Sequence, residues 1–216
     1  MTDQYPQELY TINQKILKMG ILVEENLRLA GQALVNQDES LAREVIERDK
    51  LVNSMELEIG DQCTNWIARE KPTDSDLRHI VACLKVISDV ERIGDYASHI
   101  AKRAKALASE TYIKPLLDMP RMIVLGAEML REALEAFIQR NQDLARTVAL
   151  RDSEMNDLNK KVYRDLLECM AQNPLALHQA TRLLILSREL ERVGDHTVYI
   201  CSWTIYSVTG KHEDLS

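Results

Sequence analysis

Two segments of the chain set the same acidic pair one helical turn apart. DVERIGDYASHI, residues 89–100, carries Glu91 and Asp95, and ELERVGDHTVYI, residues 189–200, carries Glu191 and Asp195. A second pair precedes each of them: Asp49 with Asn53, and Asp152 with Asn156. Residues four apart stack on one side of a helix. Each half of the chain therefore offers Asp-x-x-x-Asn on one helix and Glu-x-x-x-Asp on another. Four oxygen-bearing side chains converging between two helices suit a hard cation held by carboxylate and amide oxygens. The competing reading is solvation, or pairing with Arg48, Arg92, Arg151 and Arg192. Each arginine stands next to an acid in sequence and so points to another side of its own helix, from which it can reach a neighbouring one. A buried carboxylate left unpaired is costly, so a cation, a base or water must face it. Gly94 and Gly194 sit inside these motifs. A glycine within a helix costs about 1 kcal/mol, which suggests close approach of another backbone or a ligand.

Other chemistry is poorly represented. His99 corresponds to Tyr199 and His196 to Tyr96, so neither histidine recurs in both halves. His79 and His178 fall near helix starts and His212 in the tail; all are read as surface or satisfied side chains. No Glu is followed three residues later by His, as a ferritin-like di-metal site requires. GxSxG, P-loop and HExxH patterns are absent. Cys63, Cys83, Cys169 and Cys201 form no CxxC pair and read as small core residues.

The elements that carry the pairs are themselves repeated. SLAREVIERD, ending at Asp49, returns as DLARTVALRD, ending at Asp152, an offset of 103 residues. Pro72 matches Pro174 at 102, and ERIGD matches ERVGD at 100, so the second copy is contracted by three residues. Each copy reads as three helices. Ile12, Ile16, Met19, Val23, Leu27, Ala30 and Leu34 step by four and three, as do Met119, Met122, Gly126, Leu130, Ala133 and Phe137. Second helices follow with Leu41, Val45, Val52, Met55, Ile59 and Cys63, and with Leu144, Val148, Met155, Leu158, Val162 and Leu166 as one stripe. The third-helix seams run through Ile80, Leu84, Ile87, Glu91, Gly94 and Ser98, and through Ala180, Leu184, Ser187, Glu191, Gly194 and Val198. NQD at 36–38 and RNQD at 140–143 are short polar turns between antiparallel helices. Ser75 or Thr73 is expected to cap the third helix. The predicted fold is all-α: two tandem three-helix bundles packed side by side, with a first repeat at 1–108, a linker at 109–120 and a second repeat at 121–216.

Composition agrees with long aliphatic helices: 45% apolar residues, 5% aromatic, seven Gly and five Pro in 216 residues. The net charge of −7, with no basic stripe, argues against a nucleic-acid partner. The longest weakly charged run, 197–210, is short for a membrane span. MTDQYPQELY has no basic region leading into an apolar run, so no signal peptide is expected. These features together predict a cytoplasmic protein.

The paired ERIGD and ERVGD motifs, the Met19–Gly20 step and the Arg48–Asp49 and Arg151–Asp152 segments together resemble the PhoU family over nearly the whole chain. That resemblance implies a six-helix fold of two three-helix bundles. It implies a negative regulator of phosphate uptake and of the phosphate-starvation response, not an enzyme. Such a protein relays the state of an ABC phosphate importer to a sensor histidine kinase, commonly as a homodimer. It also implies multinuclear sites for divalent or iron ions at the acidic motifs, which here are Asp49, Asn53, Glu91, Asp95, Asp152, Asn156, Glu191 and Asp195. Asn53 and Asn156 stand where a carboxylate would match the pattern better, which implies a looser site. The alternative is a metal-binding helical bundle (storage, structural or di-metal enzyme) without a part in phosphate signalling.

Overall fold

The computed structural model describes residues 7–72 and 74–215. Thr73 and the segment 1–6, part of the stretch read as lacking a leader, lie outside the described residues. Seven α-helices and one short 3₁₀ turn are present among them: α1 Gln7–Asn36, α2 Glu39–Glu70, α3 Asp74–Leu107, α4 Asp118–Ile138, α5 Gln142–Leu150, α6 Asp152–Gln172 and α7 Leu177–Thr209, with the 3₁₀ turn at Pro174–Ala176. No strand occurs among these residues. Helices α1–α3 make the first bundle and α4–α7 the second. Both contribute to one continuous aliphatic core.

The first turn of each bundle is built alike. Gln37 (φ 54°) and Arg140 (φ 53°) are repeat equivalents, and both take the left-handed conformation that ends a helix. Neither is a glycine, so each position carries some backbone strain. The next residue caps the following helix. Asp38 accepts from Leu41 N, and Asn141 accepts from Asp143 N and Leu144 N. The strained residues also reach equivalent places: Gln37 Nε2 donates to Leu107 O at 3.0 Å, and Arg140 Nη2 to Ser207 O at 3.2 Å. Ser75 does not cap α3. It lies inside the first turn, where its hydroxyl accepts from Arg140 at 3.3 Å.

The second helix of the second repeat was expected to be continuous and is not. It breaks at Arg151, where Arg151 N bonds Val148 O at 3.0 Å and Glu154 N bonds Arg151 O at 3.0 Å, a tight three-residue turn. Ser153 Oγ donates to Leu150 O at 2.8 Å and satisfies a carbonyl freed by the break. Lys50, its counterpart in unbroken α2, has no hydroxyl to do this.

Two antiparallel contacts join the bundles. Between α3 and α7, Arg78 lies against Gly210, Lys85 over Trp203 and Asp89 beside His196. Arg103 grips Glu189 through both its oxygens, at 2.7 and 2.8 Å. Between α1 and α4, a side chain on Gly20 would collide with Leu134, and one on Gly31 would meet Ile123 at 2.8 Å. Gly20 is the equivalent of Ile123, and Gly31 of Leu134, so the two pairings are exchanged by the internal twofold relation. Glycine allows both helices to come this close.

Residues 108–117 connect the bundles and are strapped down. Tyr112 donates to Leu34 O at 2.5 Å, and Ile113 N to Gln179 Oε1 at 2.7 Å. Gln179 in turn donates to Glu110 and to Thr111 O. Cys63, Cys83 and Cys201 are buried as expected, and Cys169 is half-buried. Among the described residues no helix is long and apolar enough to cross a membrane.

Candidate functional site

The acidic pairs occupy two patches, one between α2 and α3 and one where the α5–α6 junction meets α7. In the first, α2 turns Asp49 toward Asp95 on α3, and α3 places Glu91 in reach of Asp95 and Asp49. Burial is the main cause that raises the Asp49 carboxyl above the usual range, with Asp95 second. Glu91 is raised by burial, then by Asp95 and Glu56. Asp49 Oδ1 is buried with no hydrogen-bond partner. Asn53 points outward and is exposed.

The second patch repeats the plan. Asp152 is raised by burial and then by Asp195, and Glu191 by burial, with Asp195 and Asp152 adding to it and Arg188 and Arg192 opposing. Asp152 Oδ1 and Glu191 Oε2 are buried without partners. Asn156 is half-buried and donates to Asp152 Oδ2 at 2.8 Å.

Sequence reasoning missed three members of these patches. Glu56, on α2, is half-buried; burial raises its pKa, and Arg92 and Asp95 both act on it. It follows Asp49 by seven residues, two turns along the same helix face. Ser98 was placed on the seam but assigned no role; its buried hydroxyl lies against Asp49 and acts to lower that pKa, against the burial that raises it. Arg188 pairs with Glu191 at 2.7 Å.

The glycines give a different answer from the one expected. What approaches them is side chain, not backbone. A Cβ on Gly94 would meet Val52 at 3.1 Å and Val23 at 3.4 Å, and one on Gly194 would collide with Asp152 Oδ1. Gly194 is thus the floor on which the Asp152 carboxylate rests.

The arginines divide by helix. Arg48 pairs with Glu25 and Glu44, and Arg151 with Glu128 at 2.8 Å and Glu132 at 2.9 Å, so the second-helix arginines tie their helix to the first helix of the bundle. Arg92 and Arg192 fold back on Asp95 (3.4 Å) and Asp195 (2.8 Å). Pairing therefore covers part of each patch and leaves the innermost oxygens of Asp49, Asp152 and Glu191 uncovered. As the side chains stand, no group of three or more His, Cys, Asp or Glu among the described residues is arranged to hold a metal ion.

His79 is buried and bonded to Asn13 Oδ1 at 3.1 Å. His196 bonds Asp89 at 2.9 Å, and His99 lies 3.7 Å from Glu189.

Comparison with known proteins follows the same two-copy division. The PhoU domain model matches residues 16–104 and again 119–204. The chain is 33% identical over 216 residues to the phosphate-specific transport system accessory protein PhoU homolog of Clostridium acetobutylicum, covering 98% of this chain and 97% of that one. The crystal structure of PhoU from Pseudomonas aeruginosa superposes with a TM-score of 0.91 at 36% identity, covering 96% of this chain and 100% of that one. That of the phosphate transport system regulatory protein PhoU from Streptococcus pneumoniae also gives 0.91, at 27% identity, over 98% and 100%.

Proposed function

The chain belongs to the PhoU family, and from that premise we propose that it is a cytoplasmic negative regulator of phosphate uptake and of the phosphate-starvation response. The observation that carries this reading is the near-full-length match to relatives named for accessory and regulatory work in phosphate transport. The protein acts as an adaptor, without chemistry of its own. One face engages the ATPase of an ABC phosphate importer and another a sensor histidine kinase. Its affinity for one of them differs between two states, since a partner bound equally well in both would receive no signal.

The two acidic patches are, in the same reading, cation sites. The buried, unpartnered oxygens of Asp49, Asp152 and Glu191 support this, as do the burial and, after it, the neighbouring carboxylates that raise their pKa values. Oxygen donors of this kind fit a hard divalent cation or iron. Asp49, Glu91 and Asp95 would hold it in the first patch and Asp152, Glu191 and Asp195 in the second, with Asn53 and Asn156 at the rims. A cation there neutralises the clustered carboxylates and ties each second helix to the third. Arg92, Arg188 and Arg192 swing aside to make room.

The test is alkaline phosphatase activity, in ample phosphate, of a deletion strain restored with the wild-type gene or with Glu91, Asp95, Glu191 and Asp195 all changed to Ala. High activity in the deletion, suppressed by the wild type but not by a stably made quadruple variant, is the expected result. Low activity in the deletion would overturn the regulatory reading and favour the metal-bundle alternative.

A further inference from the structure

The two copies differ at the end of the molecule where α7 runs out. Trp203 and Tyr206 of α7 stand where α3 has Arg103 and Ala106. Lys85 and Arg78 of α3 stand where α7 has Ile185 and His178, and Arg140 stands where the first copy has Gln37. With Arg146 of α5, these side chains ring the last two turns of α7. Lys85 Nζ lies over the Trp203 ring, 5.7 Å from its centre, and Trp203 meets Tyr206 edge to face at 5.6 Å. Arg140 donates to Ser207 O. Arg78 lies against Gly210, and its Nε is buried without a hydrogen-bond partner. Positive charge is thus gathered around two rings in a chain whose net charge is −7.

Residues 211–215 are laid over this surface. Gly210 (φ 72°) ends α7 in the left-handed conformation and turns the chain back. His212 stacks on Tyr206 at 4.4 Å and 15°, and meets Trp203 edge-on at 5.6 Å. Glu213 accepts from Arg146 Nε at 3.2 Å and Nη2 at 3.0 Å. Leu215 packs against the core. The covering segment therefore reads ring, two carboxylates, aliphatic.

This cover is shallow. Residues 211–214 are exposed, and Arg146 and Glu213 are 38% and 42% exposed, where an ion pair contributes little. Ordering five residues on a surface also costs conformational entropy. The segment that leaves α3 is held more firmly, through Tyr112 to Leu34 O, Ile113 N to Gln179 and Lys114 to Asp165.

We propose that the surface under residues 211–215 is a docking site for an acidic segment of a partner protein, and that these residues keep it closed until such a segment displaces them. The contacts in place show what the surface accepts: a flat ring against Tyr206 and Trp203, and a carboxylate at Arg146. Arg78 and Lys85 beside them favour further negative charge. Asp143 shares Arg146 at 3.1 Å, and Asp74 and Asp76 lie in the first turn of α3, so the attraction is short-range. A segment tied beside its site competes at an effective concentration of millimolar order. A partner must therefore make more contacts than His212 and Glu213 do, or be held close by a second contact. The proposal stands independently of any part in phosphate signalling and of the acidic patches.

The test is a titration of ¹⁵N-labelled full-length protein with an unlabelled peptide of sequence KHEDLS, followed by nuclear magnetic resonance. The Trp203 indole N–H should shift while the amides of 211–215 move to disordered positions, with half displacement at millimolar peptide. A full-length variant carrying His212→Ala and Glu213→Ala opens the site, and half saturation there should need about tenfold less peptide. Adding Arg146→Glu to that variant should abolish the response. Circular dichroism verifies that each variant remains helical, and the wild-type titration decides the matter by itself if one does not. A Trp203 signal that never responds, a response in which 211–215 stay in place, or an equal response to a control peptide with both acids replaced by lysine overturns the proposal.

Discussion

His79 should make this protein acid-sensitive by an amount that can be worked out. The ring is fully buried on α3, bonded to Asn13 of α1 and stacked on Phe137 of α4 at 5.1 Å with an interplanar angle of 11°. Burial, assisted by the positive charge of Arg140, lowers its pKa from 6.5 to about 4. The folded protein thus binds fewer protons than the unfolded chain across this window. Stability is present above pH 6.5 and is lost as the pH falls toward 4. Between pH 7 and pH 4.5 the loss from this one group is about 2 kcal/mol. For a chain of this size that is a fall in Tm of about 4–8 °C. His79→Gln keeps a hydrogen-bond donor near Asn13 but cannot titrate in this range. Urea denaturation of both proteins at pH 7 and pH 4.5 isolates the effect, because every other titrating group is common to both. The wild type should lose about 2 kcal/mol more than the variant. Equal losses would show that His79 is not held neutral by the fold and would refute the reasoning.

Two further outcomes follow from the acidic patches. Gly194→Ala gains about 1 kcal/mol of helix propensity but drives its methyl into Asp152 Oδ1, at a cost of about 1–3 kcal/mol. In an Asp152→Ala background the same substitution should cost less, and a double-mutant cycle by chemical denaturation that finds no coupling would count against the contact. Asp49 has its pKa raised by burial and by Asp95, so its contribution to stability is present at acid pH and lost as the pH rises through that raised value. Without added metal, Asp49→Asn should therefore melt higher than wild type at pH 7.5, with the gap closing as the pH is lowered below the ordinary aspartate range; a gap that widens on acidification would contradict the assignment.

How much of this was legible beforehand depended on whether a residue repeats. The helices and their pairing follow from apolar steps of three and four that occur twice, and the acidic pairs stood out because both copies keep them. The same filter hid what differs between the copies. Glu56 lies two turns from Asp49 on one face, yet its counterpart is Asn159, so the repeat does not single it out. Arg188 was hidden because its counterpart is Ser88. The break at Arg151 had no warning because stripe residues continue in register across it; the tight turn there and the Ser153–Leu150 bond mark the place. The α1–α4 contact was invisible for another reason: glycines leave no apolar signal, and what matters at Gly20 and Gly31 is which large side chain stands opposite.

That opposition has a consequence for assembly. The two glycines of α1 that α4 side chains fill, Gly20 and Gly31, lie in the first copy, and the two large residues that fill them, Ile123 and Leu134, in the second. Laid against another first copy by the same twofold, α1 would place hole against hole and leave two voids. Laid against another second copy, α4 would place knob against knob and clash. Only unlike halves interlock. A chain that arose by doubling one unit has thereby lost the self-complementarity that such a unit needs to pair with itself, and the joint between its halves favours the covalent neighbour over the matching half of another molecule.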